Sequence, residues 1–445
     1  MKSTVSHLQT SENEMKNECT KSTQALYPGR PLKVLVLSRS YPNNNFPLLG
    51  VWVENLVRHS ARLWETKVVS PVPYCPPLAR GDYFSRFRET ERRRVSDGVE
   101  VFYPRFLMPP GLRLHGIESI TYYLAVVRLI DRLRKTFDFD LIHAHFTFPD
   151  GCVAALLGKR YGVPVIITEQ ASWQPWMENF RLVRRQAVWA ARRSVFHIAI
   201  SNALRNSIAR FTGDSARLRI IPDGVDGSVF TLPKNEVRPL SNQILFVGNI
   251  RPVKGVDVLI QAMQILARRR PDVKLVLVGE SFYKNYRIEY DRLREMVIKL
   301  GLESQVEFAG KKSNAELVRY LQESALLVLP SRRETLGTVL IEALACGTPV
   351  VATRCGGPED IVTDEVGVLV PIEDPEALAS GIEHVLDNRS MYDSSKLRAH
   401  ALEKFGLDSV NQRVAELYAR ALEGRIETSG QESTVSLGTT VTAAD

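Results

Sequence analysis

Short apolar runs recur along this chain at the spacing of a parallel sheet, and the recurrence starts twice. Lys33-Val34-Leu35-Val36-Leu37-Ser38 opens the first series, which continues through Lys67 to Ser70, Leu141 to Ala144, Val163 to Thr168, Val195 to Ser201 and residues around Arg217 to Pro222. Between them lie segments such as Ile117 to Thr136, whose apolar positions repeat with helical period. From Gln243 the alternation begins again, with Ile244 to Val247, Lys274 to Val278, Val306 to Phe308, Leu326 to Leu329 and Thr348 to Ala352 as strand candidates. Strands that alternate with helices form a mostly parallel sheet covered on both faces. The chain has 445 residues, more than one hydrophobic core usually organises. The expectation is an α/β chain of two Rossmann-like domains in tandem. Ligands are expected at the carboxyl ends of the strands, in a cleft between the domains.

Pro233 to Ser241 reads as a linker, so the domains are drawn as 31–238 and 239–404. A last helix over 405–424, with Val410, Val414, Leu417, Tyr418 and Ala421 at helical spacing, is expected to pack back toward the N-terminal domain. Residues 1–30 and 425–445 are polar and lack periodicity, so both are expected to be disordered tails. Cys19, Cys75, Cys152, Cys346 and Cys355 have no metal-ligand spacing, which argues against a zinc site or a disulfide framework. No apolar stretch is long enough to span a bilayer and the amino terminus carries no hydrophobic signal core, so a cytoplasmic location is expected.

The net charge of +8 is unevenly distributed. Residues 1–238 carry 34 Lys+Arg against 21 Asp+Glu, a balance of +13, whereas residues 239–445 carry 24 against 29, a balance of −5. Such asymmetry points the basic half at an anionic acceptor or membrane surface. Arg86, Arg88, Arg92, Arg93, Arg94, Arg105 and Arg113, around Pro109-Pro110-Gly111 and the aromatic Tyr83, Phe84, Phe87 and Phe106, suit an anionic bilayer. Nucleic acid is not expected, because no nucleic-acid motif accompanies the charge.

The run Ala325 to Leu329 suits a buried parallel strand, and Pro330-Ser331 ends it where open α/β sheets bind ligands. Glu334 and Glu342 follow. On one continuous helix their directions would differ by about 80° and they would lie more than two turns apart. A helix that starts near Leu336 to Thr338 instead leaves Glu334 on the loop in front and Glu342 in an early turn, so that both approach one ligand. The backbone N–H groups of such a start attract a diphosphate, and the carboxylates accept hydrogen bonds from sugar and ribose hydroxyls. An ordinary capped helix with a solvated Glu342 fits the same residues.

Five ordered segments of the second half resemble the GT4 family of retaining glycosyltransferases, which have the GT-B fold of two Rossmann-like domains facing across a cleft. They are Phe246-Val247-Gly248-Asn249-Ile250-Arg251-Pro252-Val253-Lys254-Gly255, Leu277-Val278-Gly279-Glu280, Glu334 to Glu342 continuing through Gly347-Thr348-Pro349, Gly356-Gly357-Pro358-Glu359-Asp360, and Gly367-Val368-Leu369-Val370. In the first half, Tyr41-Pro42, Gly50-Val51, His143-Ala144-His145-Phe146 and Pro149-Asp150-Gly151 are similar to a branch that builds bacterial surface polysaccharides. Ile221 to Asp226 and Phe230 match the family's domain-closing segment, so the resemblance spans about residues 32 to 424.

The resemblance implies an acceptor domain at 31–238 and a nucleotide-sugar donor domain at 239–404. Lys254 would bind the donor diphosphate, with Arg251 as a second cation, because Asn249 stands directly after Gly248 where many relatives carry Arg. Glu334 would hold the transferred sugar and Glu342 the ribose, while the backbone of Leu336, Gly337 and Thr338 faces the phosphates. On the acceptor side stand Gly50, His145, Glu169 and Gln170, the last where relatives commonly place His. His143 is expected to serve the core. No metal or other cofactor is required, and Asp138-Phe139-Asp140 reads as the entry to a buried strand rather than as a metal site. The reaction implied is transfer, with retained configuration, from a nucleoside-diphosphate sugar, UDP-linked ahead of GDP-linked, to a hydroxyl of a glycan or lipid-linked acceptor. Two other readings stay open: a nucleotide-sugar epimerase on the same fold, and a catalytically silent sugar-binding scaffold.

Overall fold

The computed structural model describes residues 30–75, 85–108, 115–171, 179–233, 242–280 and 284–435. It is an α/β protein of two compact, Rossmann-like units. The first takes the described residues up to Ala199, Ser207–Ile221 and those from Asn411 on; the second takes Ile200–Asn206 and Pro222–Val410. The main segment of the second unit thus begins at Pro222, ahead of the boundary expected near 238. Backbone pairing explains this: Val225 N–H donates to Phe405 O at 2.8 Å and Leu407 N–H to Val225 O at 3.1 Å, while Arg398 Nη2 reaches Gly227 O at 2.8 Å. Most of the expected linker lies outside the described residues, as do residues 1–29 and 436–445.

In the first unit the strands are β1 (Lys33–Leu37), β2 (Glu65–Val69), β3 (Val72–Pro73), β4 (Arg93–Ser96), β5 (Val99–Phe102), β6 (Arg105–Phe106), β7 (Leu141–His145), β8 (Val165–Glu169), β9 (Phe196–Ala199) and β10 (Leu218–Ile220). Eight of them form one sheet in the order β10-β9-β8-β7-β1-β2-β5-β4, parallel except where β4 runs antiparallel to β5. The strands β1, β7 and β8 are the apolar runs seen in the sequence, and burial of Leu35, Ile142 and Ile166 to 0% exposure explains why those runs were readable. The β4–β5 hairpin was not expected, because Arg93 and Arg94 hide its alternation. Its turn is Asp97-Gly98, both at positive φ, and that dipeptide was the available signal.

The second unit holds β11 (Gln243–Val247), β12 (Lys274–Val278), β13 (Val306–Gly310), β14 (Leu326–Leu329), β15 (Val350–Thr353) and β16 (Gly367–Val370), all parallel, in the order β13-β12-β11-β14-β15-β16. Both sheets reverse direction once. In the first the chain builds outward from β1 and returns to place β7 at its other side; in the second it does the same at β11 and β14. Loops that leave the carboxyl ends of such a strand pair splay apart and open a crevice.

The helices that shape these crevices are α1 (Val51–Ser60), α2 (Glu118–Arg134), α3 (Val256–Arg269) and α4 (Thr338–Ala345). The last helix, α5 (Leu407–Val435), runs past the end expected at 424. Its extension has no apolar stripe for periodicity to find, and continuation costs little once a helix is nucleated. Within the first unit, Tyr418 of α5 sets its ring edge against Trp64, centroids 5.1 Å apart, and its hydroxyl 2.6 Å from His143 Nδ1.

Candidate functional site

The second unit's crevice is built from the loops after β11 and β14. The loop after β11 leaves through Gly248, whose N–H donates to Val278 O at 3.0 Å. The turn Pro252–Lys254 follows and closes at Gly255, φ 63°. A Cβ on Gly255 would stand 2.0 Å from Pro330 O, so only glycine lets this turn press against the end of β14. That contact delivers Lys254. Its Nζ lies 2.5 Å from Glu334 Oε1, which also accepts from Ser331 Oγ at 2.7 Å.

Further bonds stitch the two loops together. Arg332 N–H donates to Val253 O at 2.8 Å. The Arg332 guanidinium makes two 3.0 Å bonds to Asp257, in the first turn of α3, and also pairs with Glu373. Burial alone would raise the Asp257 carboxyl, but the hydrogen bonds and charge of Arg332, with the charge of Arg292, hold it below its ordinary range. Neither Ser331 nor the Arg332–Asp257 pair was singled out in the sequence, because nothing local marks partners that meet only through the fold.

Glu334 sits on the loop and Glu342 inside α4, as the spacing suggested. The Glu334 loop is pinned by Gly357 N–H donating to Glu334 O at 3.1 Å, and a Cβ on Gly357 would stand 2.3 Å from Leu336 Cα. Gly337, φ 93°, is the N-cap of α4 and no side chain caps that end. The first-turn N–H groups therefore keep capacity for an anion. Glu342 makes no side-chain hydrogen bond among the described residues, and its surroundings push its carboxyl up to about 7 through burial. Asn249 is exposed and Arg251 half-buried. The structure thus gathers Lys254, Glu334 and the start of α4 into one crevice. Among the described residues no group of three or more His, Cys, Asp or Glu is assembled in a way that would hold a metal.

The crevice of the first unit has a different character. Gly50, φ 71°, is the N-cap of α1, and a Cβ there would lie 1.9 Å from Ser40 O, so it brings α1 against the chain leaving β1. His145 does not reach the surface: it is 0% exposed, and burial lowers its pKa to about 4. Glu169 is also turned inward, its two oxygens accepting from the N–H groups of Thr147 at 2.9 Å and Ala171 at 3.2 Å. It fixes a turn of the main chain. His143 lies in the core, with Nε2 2.7 Å from Thr168 Oγ1. The Asp138-Phe139-Asp140 carboxylates are engaged elsewhere, Asp138 with Arg134 at 2.9 Å and Asp140 with Arg30 and Lys33 N–H.

In the basic and aromatic cluster Arg86, Arg88, Arg92 and Arg93 are exposed and Arg94 and Arg105 half-buried, and several are engaged by neighbours. Arg86 donates to Asn45 O at 3.0 Å, Arg105 to Tyr103 O at 2.7 Å, and Arg93 pairs with Glu100. Phe87 and Phe106 are buried rather than presented to a bilayer. Tyr83, Phe84, Pro109-Pro110-Gly111 and Arg113 lie outside the described residues. No described helix is long and apolar enough to cross a membrane.

Comparison with known proteins gives two contiguous family matches. Residues 49–228 match Glycosyltransferase Family 4 and residues 231–402 match Glycosyl transferases group 1. An uncharacterized glycosyltransferase of Methanocaldococcus jannaschii is 30% identical over 279 residues, 62% of this chain and 74% of that protein. The D-inositol 3-phosphate glycosyltransferase of Thermobispora bispora is 30% identical over 384 residues, 74% of this chain and 88% of that protein. Among solved structures, Anabaena HepE in complex with UDP superposes with a TM-score of 0.67 at 21% identity, over 87% of this chain and all of that one, and shares the GT-B fold.

Proposed function

Because the chain belongs to glycosyltransferase family 4 and is an enzyme that transfers sugars, we propose that it moves a hexose from a UDP-sugar to a hydroxyl of a glycan or lipid-linked acceptor with retained configuration. The observation that carries this reading is the contact between Lys254 and Glu334 beside the uncapped start of α4. A nucleoside-diphosphate sugar needs a cation, free N–H groups and a hydroxyl acceptor at that separation. UDP is favoured over GDP because HepE has been solved with UDP and with UDP-glucose.

In the proposed reaction the bond between the anomeric carbon and the phosphate oxygen breaks, and its electron pair leaves with UDP. Lys254, Arg251 and the N–H groups at Leu336, Gly337 and Thr338 stabilise the growing charge, as preorganised donors do. Gly248 and Asn249 line the donor side, Glu334 holds hydroxyls of the transferred sugar and Glu342 those of the ribose. The acceptor oxygen bonds to the anomeric carbon from the side the phosphate leaves, and its proton passes to a departing phosphate oxygen. This scheme needs no protein base, which suits Gln170 and an inward Glu169, and it needs no metal.

Synthesis of a polysaccharide or glycolipid in the cytoplasm, at the inner face of the plasma membrane, completes the proposal and rests on the +13 balance of residues 1–238. The test is nucleotide release from UDP-glucose, UDP-galactose, UDP-N-acetylglucosamine and GDP-mannose. UDP release from at least one donor is expected. Release of GDP alone would replace the donor assignment, and release from none would overturn the reading.

A further inference from the structure

Trp52 stands in the first turn of α1 with 41% of its surface exposed, yet its one polar atom points inward. The indole N–H donates to Gln170 Oε1 at 3.1 Å. A tryptophan N–H usually finds a partner where the indole is buried. Here the N–H is anchored while 41% of the residue stays open to solvent.

The anchor is itself fixed. Gln170 follows β8, is 9% exposed, and its Oε1 also lies 3.2 Å from Nδ1 of the fully buried His145 at the end of β7. An indole N–H only donates, so it must face the amide oxygen of Gln170, and His145 must then donate from Nδ1 to the same oxygen. With its pKa lowered to about 4, His145 stays neutral above pH 5 and holds this tautomer. Its Nε2 keeps a lone pair with no partner among the described residues. The relay Trp52–Gln170–His145 therefore spans the carboxyl ends of β1, β8 and β7 and holds one aromatic face still at the unit's topological reversal.

We propose that Trp52 is a stacking platform for a pyranose ring of the acceptor, with Gln170 and His145 as the residues that position it. The axial C–H bonds of a pyranose carry partial positive charge and meet the negative π face of an indole, and a ring already held in place loses little entropy on binding. The inference rests on the glycosyltransferase reading for the word acceptor, but sugar binding at Trp52 is measurable without turnover.

Saturation-transfer-difference NMR of the full chain with methyl α-D-glucopyranoside, methyl α-D-galactopyranoside, methyl α-D-mannopyranoside and methyl N-acetyl-α-D-glucosaminide tests it. At least one glycoside is expected to receive saturation from the native protein. Trp52→Leu is expected to weaken that binding about tenfold and Trp52→Phe about twofold, the span of one aromatic contact. Gln170→Met, which unlocks the ring, falls between them. UDP-induced thermal stabilisation checks that each variant is folded and separately tests the donor reading. The proposal is overturned if no glycoside binds or if Trp52→Leu binds as the native protein does.

Discussion

Lys254 and Glu334 are 80 residues apart in sequence and 2.5 Å apart in space, Nζ to Oε1. The proposed cation for the diphosphate and the proposed acceptor for sugar hydroxyls therefore neutralise each other before any donor arrives. On the proposed reading a donor enters between them and takes over both partners.

This pairing gives the two substitutions different signatures. Lys254→Met removes the charge that stabilises the leaving diphosphate, so turnover falls about 10²- to 10³-fold and UDP binding weakens. Glu334→Gln removes a negative charge beside the phosphates and releases Lys254. Calorimetry should show UDP binding at least as tightly as in the native chain, while turnover falls about 100-fold or more.

With Glu342 at the ribose as proposed, UDP affinity should depend on pH. Burial raises its carboxyl to about 7, and ribose hydroxyls donating to it would favour the ionised form, so binding should release a proton and tighten from pH 6 to pH 8. Glu342→Gln should flatten that profile. The linked stability effect has the opposite direction. A carboxyl whose folded pKa is raised contributes stability below its unfolded value of about 4.3 and loses it as pH rises through about 7.

Gly255 and Gly301 separate backbone strain from collision. Both are at positive φ, 63° and 67°, but a Cβ on Gly255 would lie 2.0 Å from Pro330 O whereas one on Gly301 meets nothing within 4 Å. Gly301→Ala should cost about 1 kcal/mol from strain alone, a Tm drop of about 2–4 °C. Gly255→Ala should lower Tm further and reduce turnover, because it moves the turn that carries Lys254.

Chelation tests the proposed division of charge between Lys254, Arg251 and the start of α4. Turnover should be unchanged in EDTA. Loss of activity that magnesium restores would assign part of that charge to a metal.

The sequence made the buried strands legible because Leu275, Leu327 and their neighbours must be apolar on both faces of a parallel sheet. It also separated Glu334 from Glu342 as loop and helix, since on one continuous helix they would lie about 80° and more than two turns apart. The contact of Lys254 with Glu334 was not legible. It depends on β11 lying beside β14 and on Gly255 yielding space to Pro330, which are tertiary facts. His145 and Glu169 looked available because strand ends usually open to ligand, but the turn at Thr147 folds back and draws Glu169 inward. Trp52 was not singled out because nothing local marks its hydrogen bond to Gln170, 118 residues away.

The decisive experiment is product analysis with UDP-glucose and a glycan acceptor, comparing the native chain with Glu334→Gln. Free UDP together with an elongated, configuration-retained glycoside from the native chain, and neither from the variant, is the expected result. An isomerised UDP-sugar without elongation, or undiminished transfer by Glu334→Gln, would refute the proposed donor site.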